Sequence, residues 1–190
     1  MSRPRQLGLA VLLGTASFVA QAEDAWVAEA RQLATSVPPK LLAVLNREIE
    51  QGGAVQAIGA CQIQAPEMAR QASAASGWTV RRVSLRERNP KARPDAWEQA
   101  ALEDFDRRVA AGEVPMTLEK AERVDVAGVP TLRYVRALAV GPVCVQCHGD
   151  TAQMDAGVKA KLAALYPHDR ATGYAVGQIR GVITLSKPAP

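Results

Sequence analysis

Two cysteines with two residues between them and a histidine directly after the second, Cys144-Val145-Gln146-Cys147-His148, constrain this chain more than any other stretch. Thiols at that separation can add to the two vinyl groups on one edge of a porphyrin. The histidine is then carried under the ring, where an imidazole nitrogen can bind iron. The pattern is that of c-type haem attachment, with Cys144 and Cys147 as the thioether residues and His148 as the proximal ligand. Two other uses of the same residues were weighed. A thioredoxin-like dithiol sits in a βαβ pattern, and here Gly141-Pro142 precedes the pair and His148-Gly149-Asp150 follows it. A structural zinc ion takes about four protein ligands, and only Cys61 and His168 remain as Cys or His, at irregular distances. One covalently attached haem c is the reading the pattern favours.

The N-terminus reads as an export signal. Arg3 and Arg5 form a charged start, Leu7 to Val19 is an apolar stretch too short to span a bilayer comfortably, and Ala20-Gln21-Ala22 is a small-x-small cleavage site. The expectation is a signal peptide over residues 1–22, a single domain over 23–190, and a periplasmic protein with no membrane contact after cleavage. Export agrees with the motif, because c-type haems are attached outside the cytoplasm. The net charge of +4 is spread along the chain, with no basic block interleaved with aromatics, so nucleic-acid binding is not indicated.

Hydrophobic residues make up 48% of the chain and aromatics only 4%, which leaves the core to Ala, Val, Leu and Ile and favours helices in close contact. Trp26, Ala30, Leu33 and Val37 fall at helical spacing, and Pro38-Pro39 is expected to break or kink that helix. A second helix carries Leu41, Leu42, Leu45 and Ile49 and ends at Gln51-Gly52-Gly53. A third runs from about Ala54 through Cys61, with Pro66 marking a bend before Met68 to Ser76. Trp78 to Leu85 alternates as a strand, and Pro94-Asp95 opens a helix that Gly112 stops. Residues 123–126 and 131–138 form a hairpin around Ala127-Gly128-Val129-Pro130. A short helix over 155–165 and a closing strand over 178–185 complete the chain. Helices followed by strands imply an α+β fold: an antiparallel sheet flanked by helices, with an N-terminal helical layer.

The third cysteine needs its own account. In an oxidising compartment a thiol left over from two thioethers is a liability. Cys61 shares a helical face with Ala54, Ala57, Ile58 and Ala65. It is either buried as a small hydrophobe or a thiolate ligand on the far side of the iron. His168, Met68, Met116, Met154 and an open or water-bound iron are the alternatives for that sixth position. Arg86, Arg88, Arg133, Arg136 and Arg180 could pair with haem propionates. Arg88 and Arg180 are the preferred two.

Several residues in order resemble the PAS-like, single-haem c-type domain of cyanobacterial haem proteins and of the extracytoplasmic parts of bacterial sensors. They are Ala57-Ile58 with Cys61 and Ala65-Pro66, Arg88-Asn89-Pro90, and Tyr134 to His148. Tyr166-Pro167 with Asp169 to Tyr174, and Gly177 to Gly181, continue the set. The resemblance implies a PAS-like sheet with haem held against it, and iron between His148 and Cys61. Unlike the sensor members, this chain has no kinase, cyclase or methyl-accepting region, so any signal passes through a protein partner. Redox sensing or signalling is the expected function, through Cys61 release on reduction. Simple electron transfer and NO or CO binding are the alternatives. An enzyme is not expected, because no residue set for peroxide or nitrite chemistry is visible.

Overall fold

The computed structural model describes residues 24–190, so the export segment expected over 1–22 lies outside the described residues. The fold is α+β. A four-stranded sheet in the order β1-β4-β3-β2 is antiparallel throughout. Its strands are β1 (Thr79–Val83), β2 (Glu119–Val126), β3 (Val129–Ala139) and β4 (Ile179–Pro188). Four helices accompany it: α1 (Ala25–Ser76), α2 (Ala96–Ala110), α3 (Val145–His148) and α4 (Ala156–Leu165). Among the described residues no helix is long and apolar enough to cross a membrane.

The three helices expected before residue 77 are one helical hairpin. α1 is continuous through Pro38, Pro39 and Pro66, and its only non-helical residue is Gly53, at φ 74° and ψ 179°. That combination is open essentially to glycine alone, and it turns the chain back on itself. Residues 25–52 and 54–76 are the two arms. The prolines do not stop the first arm because tertiary contacts on either side hold it. Ala30 and Ala34 are fully buried against the sheet, and Leu33 and Val37 share their cluster with Ala72 of the second arm. Packing of this kind outweighs a local preference.

Each face of the sheet has its own core. Trp78, Val80, Tyr134 and Leu185 meet the first arm of α1 on one face, while Val83, Val135 and Val182 meet Leu102 and Phe105 of α2 on the other. α2 starts where Asp95 and Glu98 cap each other reciprocally, with both bonds at 2.9 Å. Buried Glu98 also faces the Arg133 guanidinium at 3.2 Å. The β2–β3 hairpin is tighter than expected. Ala127 and Gly128, both at positive φ, form a two-residue turn, and Pro130 is already inside β3.

Glu119 ties the helical hairpin to the sheet. It accepts from Arg31 Nε at 2.9 and 3.0 Å, from the Tyr134 hydroxyl at 2.6 Å and from Arg136 Nη1 at 2.7 Å. Burial works to raise its carboxyl, and the Arg31 and Tyr134 hydrogen bonds with the two guanidinium charges overcome it, so its pKa lies below the ordinary value. A depressed carboxylate contributes stability that is complete above its unfolded pKa and is lost as pH falls through the folded one. Glu119→Gln is therefore expected to cost about 1.5–3 kcal/mol at pH 7, the range for hydrogen bonds to charged groups. In urea unfolding, the gap between variant and wild type should close as pH falls below about 4, where the unfolded carboxyl is itself protonated.

Candidate functional site

The cysteine pair lies between two turns that proline and glycine make possible. Pro142 opens a 3-10 turn over Pro142–Cys144, which runs directly into the single turn of α3. Cys144 and Cys147 are three residues apart on helical backbone, so both side chains leave one face. The Gly141 amide donates to Cys144 Sγ at 3.3 Å. After His148 the Gly149 amide returns to the Val145 carbonyl at 2.9 Å, and a Cβ on Gly149 would stand 2.5 Å from that same oxygen. Only glycine ends the motif this tightly.

The segment after α4 zips onto the motif. The Gly173 amide donates to the Gly149 carbonyl at 2.7 Å and the Tyr174 amide to the His148 carbonyl at 2.9 Å. Asp169 Oδ1 accepts the Ala171 amide at 2.8 Å, which presents the Ala171 carbonyl to His148 Nδ1 at 2.7 Å. A carbonyl only accepts, so Nδ1 carries the hydrogen and Nε2 keeps the ring's lone pair, with Arg180 Nε 3.5 Å from it. This is how metal-binding histidines are oriented. Burial, with the Arg180 and Arg88 charges adding to it, holds the imidazole pKa well below its ordinary value, against the Ala171 bond.

Two preferred arginines hold this arrangement in place. Arg88 Nε donates to Asp169 Oδ2 at 2.9 Å, and its Nη2 donates to the Cys147 carbonyl. Arg180 owes its position to a β-bulge. Leu138 pairs with Gly181 and Ala139 with Ile179, so Arg180 is the extra residue of β4. Its Nε is directed at the two imidazole nitrogens of His148, at 3.3 Å from Nδ1 and 3.5 Å from Nε2; with the hydrogen on Nδ1, Nε2 is the one able to accept. Its Nη1 donates to Ser84 Oγ at 2.9 Å. β4 passes close to β1 here: a Cβ on Gly181 would stand 2.3 Å from the Val83 carbonyl.

Cys61 comes from the second arm of α1 and shares this neighbourhood. Burial raises its thiol pKa, the Arg82 and Arg88 charges oppose that, and Cys144 adds to it. Cys147 is raised by burial as well, and Cys61 and Cys144 contribute. The same arm packs beside the motif, where Ile58 and Ala54 share a cluster with Cys147, Met154 and Val158. The structure thus brings Cys61, Arg88, Cys144, Cys147, His148 and Arg180 together.

The other sequence candidates are exposed, packed in apolar surroundings or already engaged. His168 is exposed. Met154 is 7% exposed and packed in an apolar cluster, Met68 lines a cleft between the α1 arms, and Met116 is 56% exposed. Arg133 is paired with Asp95 and Arg136 with Glu119. Arg86 lies over the Tyr174 ring at 4.1 Å.

Sequence reasoning left out one site residue, Arg82. It follows Trp78 and Val80 on the sheet face that α1 covers, and its signal was an arginine in an inward register position. Its electrostatic neighbours are Cys61, Cys144, Arg88 and Tyr174, and burial lowers its pKa. The residue is nonetheless accessible to solvent.

The site fits a haem better than a bare ion. Among the described residues no three His, Cys, Asp or Glu side chains stand together as metal ligands. A porphyrin brings four nitrogens of its own and asks the protein for one or two atoms, and His148 Nε2, with the ring's lone pair, can be one. Two thiols on one face meet the demand of its vinyl edge.

An α+β domain with one antiparallel sheet, a helical hairpin across it and a Cys-x-x-Cys-His turn beside that hairpin is the class these features define. The sequence profile of the Tll0287-like family matches residues 12–188, and the chain belongs to that family. Among solved structures it is similar to the crystal structure of the cyanobacterial heme-protein Tll0287. Identity is 24%, covering 89% of this chain and 98% of that one, with a TM-score of 0.65. At that identity the likeness establishes a shared fold. No curated protein matches the sequence.

Proposed function

We propose that this chain is an exported, periplasmic c-type haem protein with a PAS-like domain, carrying one covalent haem and serving redox sensing or signalling. Cys144 and Cys147 are the thioether residues, and His148 and Cys61 are the iron ligands. Arg88 and Arg180 belong to the cofactor shell. When bound, the haem supplies one-electron iron chemistry. The observation that carries the reading is the His148 Nδ1–Ala171 carbonyl bond at 2.7 Å, which leaves the ring's lone pair on Nε2, one residue after the second cysteine of the motif. The description of the solved relative as a heme-protein supports it.

The protein's own part is to hold and tune. Ala171 fixes the imidazole, Arg88 pins the motif backbone through the Cys147 carbonyl, and the α1 arm carries Cys61. What favours sensing over simple electron transfer is where Cys61 sits: on a helical arm that joins the sheet domain through packing, so a change at its sulfur has an element to move. The output passes to a redox or signalling protein partner, and no catalysis is assigned to the site.

The test is expression with the native leader in a bacterium competent in cytochrome c maturation, followed by purification from the periplasm. A mass increased by one haem and a haemochrome spectrum of two thioether bonds are expected. Exported protein that is colourless and of unmodified mass overturns the reading.

A further inference from the structure

Seven arginines lie at or near the sites considered above, and six of them are committed within the chain. Arg88 has Asp169, Arg133 has Asp95 and Glu98, and Arg136 has Glu119. Arg180 has Ser84 and the His148 ring, and Arg86 has the Arg170 carbonyl and the Tyr174 ring. Arg81, on the opposite face of β1, has Glu98 at 3.8 Å. Arg82 is different. Among the described residues its side chain has no hydrogen-bond or ion-pair partner.

An arginine on an outer surface needs no partner, because water satisfies it. Arg82 is accessible too, but on the side of the sheet that carries the site. It sits in β1 opposite Ile183, on the face where Trp78, Val80 and Ile183 are buried beneath α1. The charged side chains among its neighbours are cationic, Arg88 foremost, and the remaining groups are two thiols and a phenol. Asp169, the carboxylate that serves this region, already holds Arg88 and the Ala171 amide. Five unspent N–H donors and an uncompensated charge beside Cys61 and Cys144 are available to an anion. Guanidinium geometry selects a planar, two-oxygen one.

We propose that Arg82 is the anchor for a carboxylate of the bound porphyrin. The assignment rests on the haem reading above. It separates two roles among the arginines: Arg88 and Arg180 position the attachment motif, and Arg82 receives the cofactor's charge. Arg82 is thereby a cofactor-binding residue supplied by the sheet, opposite in origin to the thiols supplied by the loop.

The experiment uses the mature holoprotein, with the haem carboxylates labelled with carbon-13 by feeding cells a labelled biosynthetic precursor. Infrared difference spectra between the oxidised and reduced protein then isolate those carboxylates from every Asp and Glu of the chain. In Arg82→Gln one labelled carboxylate band is expected to shift from its wild-type position. Arg82→Lys should bring it part of the way back, because it keeps the charge and loses the fork. Arg70→Gln, at an exposed position on α1, should match wild type. A merely structural role for Arg82 lowers the melting temperature without moving a labelled band. Labelled bands of Arg82→Gln that coincide with wild type overturn the assignment and leave the haem reading intact. Wild-type protein without covalent haem overturns both.

Discussion

Cys147→Ala is expected to lose most of its covalently held haem while the polypeptide still folds. The thiol is half-buried beside Ile58, Met154 and Val158. Truncation removes one heavy atom from that cluster, a loss of about 1 kcal/mol by the usual value for a small buried group. A single domain of this kind has roughly 5–15 kcal/mol in hand, so folding is not what fails. What fails is attachment. Cys144 alone can still form one bond, but with one thiol gone most molecules are expected to hold the ring without a covalent link, and the double variant Cys144→Ala/Cys147→Ala can form none. The check is acid–ketone extraction followed by intact mass. Wild-type pigment should stay with the protein, the single variant should release most of it, and the double variant all of it. Pigment that survives extraction in the double variant would mean the ring is held elsewhere.

The second large effect is expected at Cys61. Cys61→Ser changes one atom in a helix that Ala54, Ala57 and Ile58 already hold against its neighbours, so the fold is spared. Serine is a far weaker donor to ferric iron than a thiolate. Removing such a donor favours the reduced state, and each tenfold change in that preference is about 59 mV for one electron. We expect one to two such decades, a rise of roughly 60–120 mV in midpoint potential. The ferric paramagnetic resonance spectrum should change with it. A variant with wild-type spectrum and potential would return Cys61 to the role of a small buried hydrophobe.

Much of the architecture could be read before any coordinates. Asp95 and Glu98 announce the start of α2, the alternation in 178–185 announces a strand, and the order of elements implies the α+β class. The helical hairpin could not be read. Pro38 and Pro39 argue locally for a break, and what overrules them is the burial of Ala30 and Ala34 against Trp78, some 45 residues downstream by the numbering. The site divides in the same way. Cys144, Cys147 and His148 stand together in sequence and carry their own chemistry. Cys61 was legible as an unpaired thiol. Arg82 was not, because a charge at an inward strand position looks like a flaw in the alternation until its neighbours Cys61 and Cys144 are known. The role of Arg88 depends on Asp169, a partner 81 residues downstream, beyond α4.

Arg180 shows what the site asks of the sheet. Val182 points to the α2 core, and Ile183 and Leu185 point to the α1 core. By strict alternation Ile179 belongs with the odd-numbered residues, yet it lies with Val182. The phase changes at residue 180 and nowhere else along β4. Without that residue the strand would alternate evenly and still send every apolar side chain to the core it now occupies. The polypeptide could be one residue shorter here and keep the same apolar side chains in each core. Arg180 is therefore surplus to the apolar cores; its hydrogen bonds to Ser84 anchor it, and what it does is lay a cation against an imidazole.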